Sequence, residues 1–136
     1  MATSDPREKT VRELFARLSA RDFDAMAALL AEDVVFDLRY APEMLPMPTE
    51  GRDAVRALVG DVIGGMFDPF AIEVENVYLG ADADLIIAEY HSDGTVVHNG
   101  NRYTNDYIGL FHVDDTGIRF WREYHDPERA TKALGG

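Results

Sequence analysis

The chain predicts an α+β domain, helices first and a run of antiparallel strands after them, with the helices covering one face of the sheet. Three observations carry that expectation. Apolar residues recur at helical spacing in three segments that end by Phe67. From Phe70 onward apolar and polar residues alternate instead, in runs divided by turn clusters at Gly80-Ala81-Asp82, Asp93-Gly94 and His98-Asn99-Gly100. The last two runs, between Asn101 and Pro127, flank Asp114-Asp115-Thr116-Gly117, which pairs them as a hairpin.

The first helix opens at Asp5-Pro6-Arg7-Glu8: an acid able to cap free N–H groups, a proline in the first turn, and a second acid beside the positive helix end. Val11, Leu14, Phe15 and Leu18 form its apolar stripe. Asp22 caps a second, short helix whose apolar face is Phe23, Met26, Leu29 and Leu30. From Val34 to Tyr40 the period falls to two, with Phe36, Leu38 and Tyr40 alternating with Val35, Asp37 and Arg39, so this is a strand. Residues 41–50 hold three prolines and no regular period, yet Met44, Leu45 and Met47 are too apolar for a plain surface loop and predict a lid. Val55, Leu58, Val59, Val62 and Met66 mark a third helix that begins near Gly51 and is weakened by Gly64-Gly65. Strands follow over Phe70 to Leu79 and Leu85 to Ser92, then the hairpin. Asp126-Pro127-Glu128 starts a last short helix, stopped by Gly135-Gly136.

At 136 residues and 46% hydrophobic, the chain suits one domain, 1–136, with room for a core and a pocket within it. Its 25 acids against 13 bases leave a net charge of −12, which repels nucleic acid and anionic membrane, so neither is an expected partner. Cysteine is absent, which excludes disulfides, thiolate catalysis and cysteine-ligated metals. With no apolar signal core in MATSDPREKT and no run of membrane-spanning length, the expected setting is cytoplasmic. His91, His98, His112 and His125 show neither HxH nor HExxH spacing, so no metal site is expected, and the fingerprints of serine hydrolases, dinucleotide folds and P-loops are missing. No cofactor is expected.

Chemistry concentrates in the hairpin. Tyr103, Asn105, Tyr107, Gly109 and Phe111 share one side of its first strand, and Trp121, Glu123 and His125 share one side of its second. With both sides turned inward, Glu123 is an acid walled by aromatics, where low polarity raises a carboxyl pKa toward neutrality. The opposite parity makes Glu123 half of a surface pair with Arg122. The inward parity also turns Leu85, Ile87, Ile108, Leu110, Phe120 and Tyr124 outward as one apolar patch, which predicts a homodimer.

LAEDVVF at 30–36, GRDAV at 51–55 and the stretch from Gly100 through WREYHDP at 121–127 resemble the SnoaL-like, NTF2-like superfamily. That superfamily includes polyketide cyclases, ketosteroid isomerase, limonene-1,2-epoxide hydrolase and the phenazine-biosynthesis A/B proteins. The resemblance implies a cystatin-like cone of three N-terminal helices on a curved antiparallel sheet, enclosing a pocket for a small, largely apolar molecule. It matches Glu123 to the pocket acid of the epoxide hydrolase and of the phenazine proteins, and Tyr103 to a pocket tyrosine of the latter. Asn105, Tyr107, Val62, Met66 and His125 fall where relatives line their cavities, and Trp121 shares the face of Glu123. Where the epoxide hydrolase needs tyrosine, asparagine, arginine and a second aspartate, this chain has Phe36, Leu38, Tyr90 and Ser92. The ketosteroid isomerase acids fall near Leu38 and Gly109, and the helix-borne histidine of the phenazine proteins falls within Leu58 to Val62.

By this resemblance the chain performs cofactor-independent acid/base chemistry on a carbonyl-type substrate, such as cyclisation, isomerisation or hydration. Glu123 moves the proton, while Tyr103 and Asn105 donate to the developing oxyanion. The missing partner carboxylates fit a different class equally, a non-catalytic small-molecule-binding or dimeric scaffold domain, and the sequence leaves the two open.

Overall fold

In the computed structural model, which describes residues 5–135, the order of elements is α1 (Pro6–Ser19), α2 (Phe23–Ala27), β1 (Leu30–Leu38), β2 (Thr49–Glu50), α3 (Arg52–Met66), β3 (Phe67–Leu79), β4 (Leu85–Val96), β5 (Arg102–Asp114), β6 (Gly117–His125) and α4 (Pro127–Ala133). Capping sets the first helices. Asp5 accepts from the Arg7 backbone N–H at 2.9 Å, and Asp22 accepts from Ala25 at 3.1 Å. Leu30 belongs to β1 rather than to the apolar face of α2, because the helix stops at Ala27 and the chain is already extended. The glycine pair does not end α3 early. Arg21 reaches across from the α1–α2 turn and donates to the Gly64 and Phe67 carbonyls at 2.7 and 2.8 Å, satisfying acceptors that the end of α3 would otherwise leave open.

The six strands form one sheet in the order β2-β1-β6-β5-β4-β3. The meander from β3 to β6 is antiparallel throughout, and β1 joins it parallel to β6, so the sheet is mixed rather than wholly antiparallel. Register shifts between Val74 and Asn76 and between His112 and Val113 mark bulges, the devices that bend a sheet around its helices. Asp93-Gly94 is not a turn, because β4 runs on through it to Val96 opposite β3. Gly94 is required there by space: a Cβ would lie 2.8 Å from the Pro69 carbonyl oxygen. The glycine that reads as a chain reversal is in fact a close approach of two strands. β1 ends at Leu38, so Tyr40 lies beyond it and is 54% exposed.

The core lies between the helices and the concave face of the sheet. Val11, Leu14, Phe15 and Leu18 of α1 are all buried, and Phe15 packs on Tyr90, with centroids 4.3 Å apart, and edge-on to Phe111 and Trp121. The last helix is tied down by amides. Asn105, 1% exposed, donates from Nδ2 to the Asp126 carbonyl at 2.9 Å and accepts on Oδ1 from the Asp106 and Asp126 N–H groups, while Asn99 and Asn101 both donate to the Ala133 carbonyl. Replacing Asn105 by alanine strands two backbone donors, and the expected loss is about 2–4 kcal/mol of stability in urea melts. Faster hydrogen exchange in residues 126–133 should accompany it. Unchanged exchange there would show that α4 docks without this amide.

Candidate functional site

The β5–β6 register pairs Tyr107 with His125, Gly109 with Glu123 and Phe111 with Trp121, and β1 sets Phe36 beside Trp121 and Leu38 beside Glu123. Side chains alternate along each strand, so Glu123 faces the concave side. Arg122 faces the convex side, where its Nε donates to Asp37 at 3.1 Å. The surface pair of Glu123 with Arg122 is therefore not formed.

Above Glu123 is a cavity of about 90 Å³, counted as the space open to the centre of a water molecule. Its walls are Phe15 and Leu18 from α1, Leu58, Val59, Val62 and Ile63 from α3, and Phe36 and Leu38 from β1. Phe70 and Ile72 from β3 and Leu45 and Met47 from the 41–48 loop complete the lining. Polar chemistry enters only through Tyr107, Trp121 and Glu123, and Glu123 is the one carboxyl among the described lining residues. Of the three apolar loop residues, Met44 is 84% exposed and takes no part. Met47 turns inward and its Sδ accepts from the Leu38 N–H at 3.4 Å.

Glu123 is held by Tyr90, whose hydroxyl donates to Oε1 in a short hydrogen bond. Tyr90 is fully buried on β4, between Phe15 and the stacked ring of Tyr107 at 5.2 Å. Gly109 makes this contact possible. It sits between Ala88 of β4 and Glu123 of β6, and a Cβ on it would lie 2.7 Å from the Tyr90 hydroxyl oxygen. Burial pushes the Glu123 carboxyl up to about 7, with the Tyr90 hydroxyl and the Trp121 indole N–H drawing it part of the way back. Tyr90 moves well above its ordinary value through burial first and the neighbouring carboxylate second. Trp121 is 2% exposed, and although its N–H is near enough to influence both groups, its Nε1 meets no acceptor at hydrogen-bond geometry.

A second polar chain lies behind the first. Tyr107 shares hydrogen bonds with Ser92 at 2.8 Å and Tyr103 at 3.1 Å, and Asn105 donates to the Tyr103 hydroxyl at 2.7 Å. Burial raises the pKa of both Tyr103 and Tyr107. Neither Tyr103 nor Asn105 lines the cavity. Tyr103 is stacked against Phe67 at 5.2 Å, and the Asn105 amide is consumed by Tyr103 and the start of α4. In this arrangement neither the Tyr103 hydroxyl nor the Asn105 amide faces the cavity beside Glu123, the place an oxyanion donor would take. Met66, Tyr90, Ser92 and His125 do not line the cavity either. Met66 packs against the core, Tyr90 acts from behind Glu123, and Ser92 bonds to Tyr107. His125 stacks on Tyr107 with its Nδ1 unpartnered, and burial lowers its pKa. Phe36, Leu38, Val62, Tyr107, Trp121 and Glu123 do line it. Sequence reasoning missed Phe15, Leu18, Leu58, Val59 and Ile63 of the helices and Phe70 and Ile72 of β3, whose apolar patterns gave no sign that they bound a void rather than a filled core. Among the described residues no cluster of histidines and acids could hold a metal ion, and no helix is long and apolar enough to cross a membrane.

A concave sheet wrapped on three helices, with an acid at the base of an apolar cavity, defines a class of small α+β pocket proteins. The SnoaL-like domain family matches residues 11–121, and the chain belongs to it. It is 30% identical over 128 residues to the uncharacterized protein YesE of Bacillus subtilis (strain 168), covering 94% of this chain and 86% of YesE. A crystal structure from Bacillus subtilis superposes with a TM-score of 0.90 at 29% identity, covering 100% of this chain and 97% of that one. The LEH-like epoxide hydrolase of M. tuberculosis superposes with a TM-score of 0.74 at 23% identity, covering 94% and 88%, a likeness of fold.

An acid whose folded pKa stands above its ordinary 4.5 binds its proton more tightly in the folded chain, so it favours folding at low pH. That contribution is lost as pH rises from 4.5 through about 7. Glu123→Gln removes the titration. The melting temperature of the variant minus that of wild type should therefore rise from pH 5 to pH 7 and then level off, by an amount equivalent to about 2–3 kcal/mol. A flat difference across that range would place the Glu123 carboxyl in ordinary solvent.

Proposed function

We propose that this SnoaL-like protein binds a small, largely apolar metabolite in the cavity and moves a proton on it without a cofactor, with Glu123 as the base and then the acid. The observation that carries this reading is a single carboxyl, poised near neutrality, in an otherwise apolar chamber. Near pH 7 both forms of such a group are populated, so one side chain can take a proton from the carbon beside a carbonyl and return it to another carbon or to oxygen. The Tyr90 hydroxyl favours the carboxylate and fixes its orientation, so Tyr90 is a positioning residue in this scheme. Isomerisation fits best, since the proton that leaves is the proton that returns and no second acid lines the chamber.

A non-catalytic binding domain is the second reading, favoured by the diversion of Tyr103 and Asn105 into structural hydrogen bonds. Exchange of the α-protons of cyclohexanone in D2O separates the two. Catalysis predicts exchange above the buffer rate that rises with a midpoint near the Glu123 pKa of about 7. Glu123→Gln should slow it about 100-fold or more while the fold survives. Saturable binding with no exchange above buffer would select the binding domain.

We infer further that two copies pair through the convex face of the sheet. The register aligns Ile87 with Leu110, Glu89 with Ile108 and Tyr124, and Leu85 with His112 and Phe120, and Ile108 is 40% exposed. This supports an apolar surface that a second copy covers about a twofold axis. Sedimentation equilibrium at micromolar concentration should give twice the chain mass, and Ile108→Glu should return it to one by placing an unpaired charge in the contact. A wild-type monomer throughout that range excludes the dimer.

A further inference from the structure

One donor on the cavity wall meets no acceptor at hydrogen-bond geometry within the fold. The Trp121 indole is buried and lines the cavity, yet its N–H has no acceptor. Folded proteins rarely leave a buried donor in that condition. Trp121 lies two residues before Glu123 on the same face of β6. Tyr90 occupies Oε1 of Glu123, and no described group bonds Oε2. A donor without an acceptor and a carboxyl oxygen without a donor thus share one face of β6, and among the described lining residues only Tyr107 adds a further polar group.

We propose that the Trp121 N–H and the free carboxyl oxygen of Glu123 together hold one oxygen atom of an uncharged, otherwise apolar ligand, a ketone or an alcohol. The inference rests on the reading above that the cavity takes an apolar ligand, and it goes further by fixing the ligand's polar atom. A ketone held by protonated Glu123 is the unreactive complex, since only the carboxylate can act as the base. An anionic ligand is rejected because no lysine or arginine lines the cavity to compensate its charge beside Glu123. An ammonium would satisfy the carboxylate but has no lone pair for the indole N–H, which would stay unpaired. Oxygen answers both groups. A carbonyl oxygen accepts from Trp121 and needs a protonated Glu123 for its second hydrogen bond, whereas a hydroxyl accepts from Trp121 and either accepts from a protonated Glu123 or donates to an ionised one. The protonation state of Glu123 therefore decides how firmly a ketone is held and leaves an alcohol held in either state.

The groups that face Glu123 leave that choice to it. Tyr90 from β4 and Tyr107 from β5 are phenols that burial keeps neutral. The lining residues from α1, α3, β1, β3 and the 41–48 loop are all apolar. His125 stacks on Tyr107 but does not line the cavity, and Asp37 and Arg122 pair on the convex face.

The chain contains one tryptophan, so its indole gives a single ¹H–¹⁵N crosspeak. Wild-type protein is titrated with cyclohexanone, cyclohexanol and methylcyclohexane at pH 5.5 and 8.5. Both oxygenated probes should move the indole proton downfield as they saturate, and methylcyclohexane should bind without that movement. Cyclohexanone should bind about fivefold tighter at the lower pH, as one hydrogen bond gained or lost implies, and cyclohexanol should bind equally at both. Glu123→Gln should keep the indole shift and abolish the pH dependence of cyclohexanone. Equal binding of all three probes with a stationary indole peak overturns the oxygen site while leaving the apolar cavity intact. An indole shift whose ligand preference ignores pH in wild type removes Glu123 from the site. Failure of every probe to bind, methylcyclohexane included, refutes the cavity reading and this inference together.

Discussion

The register of β5 against β6 is the constraint on which the interior depends. Because side chains alternate along a strand, a slip of one residue would exchange the faces of Glu123 and Arg122. It would also send Trp121 into solvent and bring Phe120 inward. The slip is opposed at both ends of the hairpin. At one end Asp114 accepts from Thr116 through both its backbone N–H and its hydroxyl and pins the turn, and at the other Asn105 binds both the N–H and the carbonyl of Asp126. The carboxyl's place is set in part by side-chain hydrogen bonds at the ends of the hairpin, some distance from it.

Two hydrogen-bonded chains of similar composition share the concave face and do different work. Asn105, Tyr103, Tyr107 and Ser92 join the sheet to α4, and their groups are spent on one another. Tyr90 and Glu123 form the other chain, which ends in an oxygen free of protein partners. Composition alone does not separate them, since each contains tyrosine and a side chain able to accept. The difference lies in whether the last member meets protein or cavity.

The fold was legible because each element carried a local signal: caps at Asp5 and Asp22, helical stripes through Phe15 and Val59, and a turn cluster between β5 and β6. Parity also gave the inward face of Trp121 and Glu123, because period two is exact along a strand. Less was legible where one residue type serves two purposes. Gly94 read as a turn, though it makes room for the Pro69 carbonyl, and Gly109 gave no hint that it clears a path for Tyr90. Tyr103 and Asn105 had the right chemistry for an oxyanion site, and only the position of Asp126, 21 residues away from Asn105, revealed that the amide was already engaged. Such long-range claims on a side chain leave no trace in local pattern.

The contact between Met47 and Leu38 leaves the chamber wall unevenly bonded. A backbone carbonyl in place of the thioether would tie the 41–48 loop to β1 with an ordinary amide hydrogen bond, whereas sulfur is a weak acceptor. The base of the chamber, by contrast, is clamped by the sheet ladder and by the Tyr90 hydroxyl. Two kinds of bond therefore hold the wall, a weak one where the 41–48 loop meets β1 and stronger ones around the carboxyl.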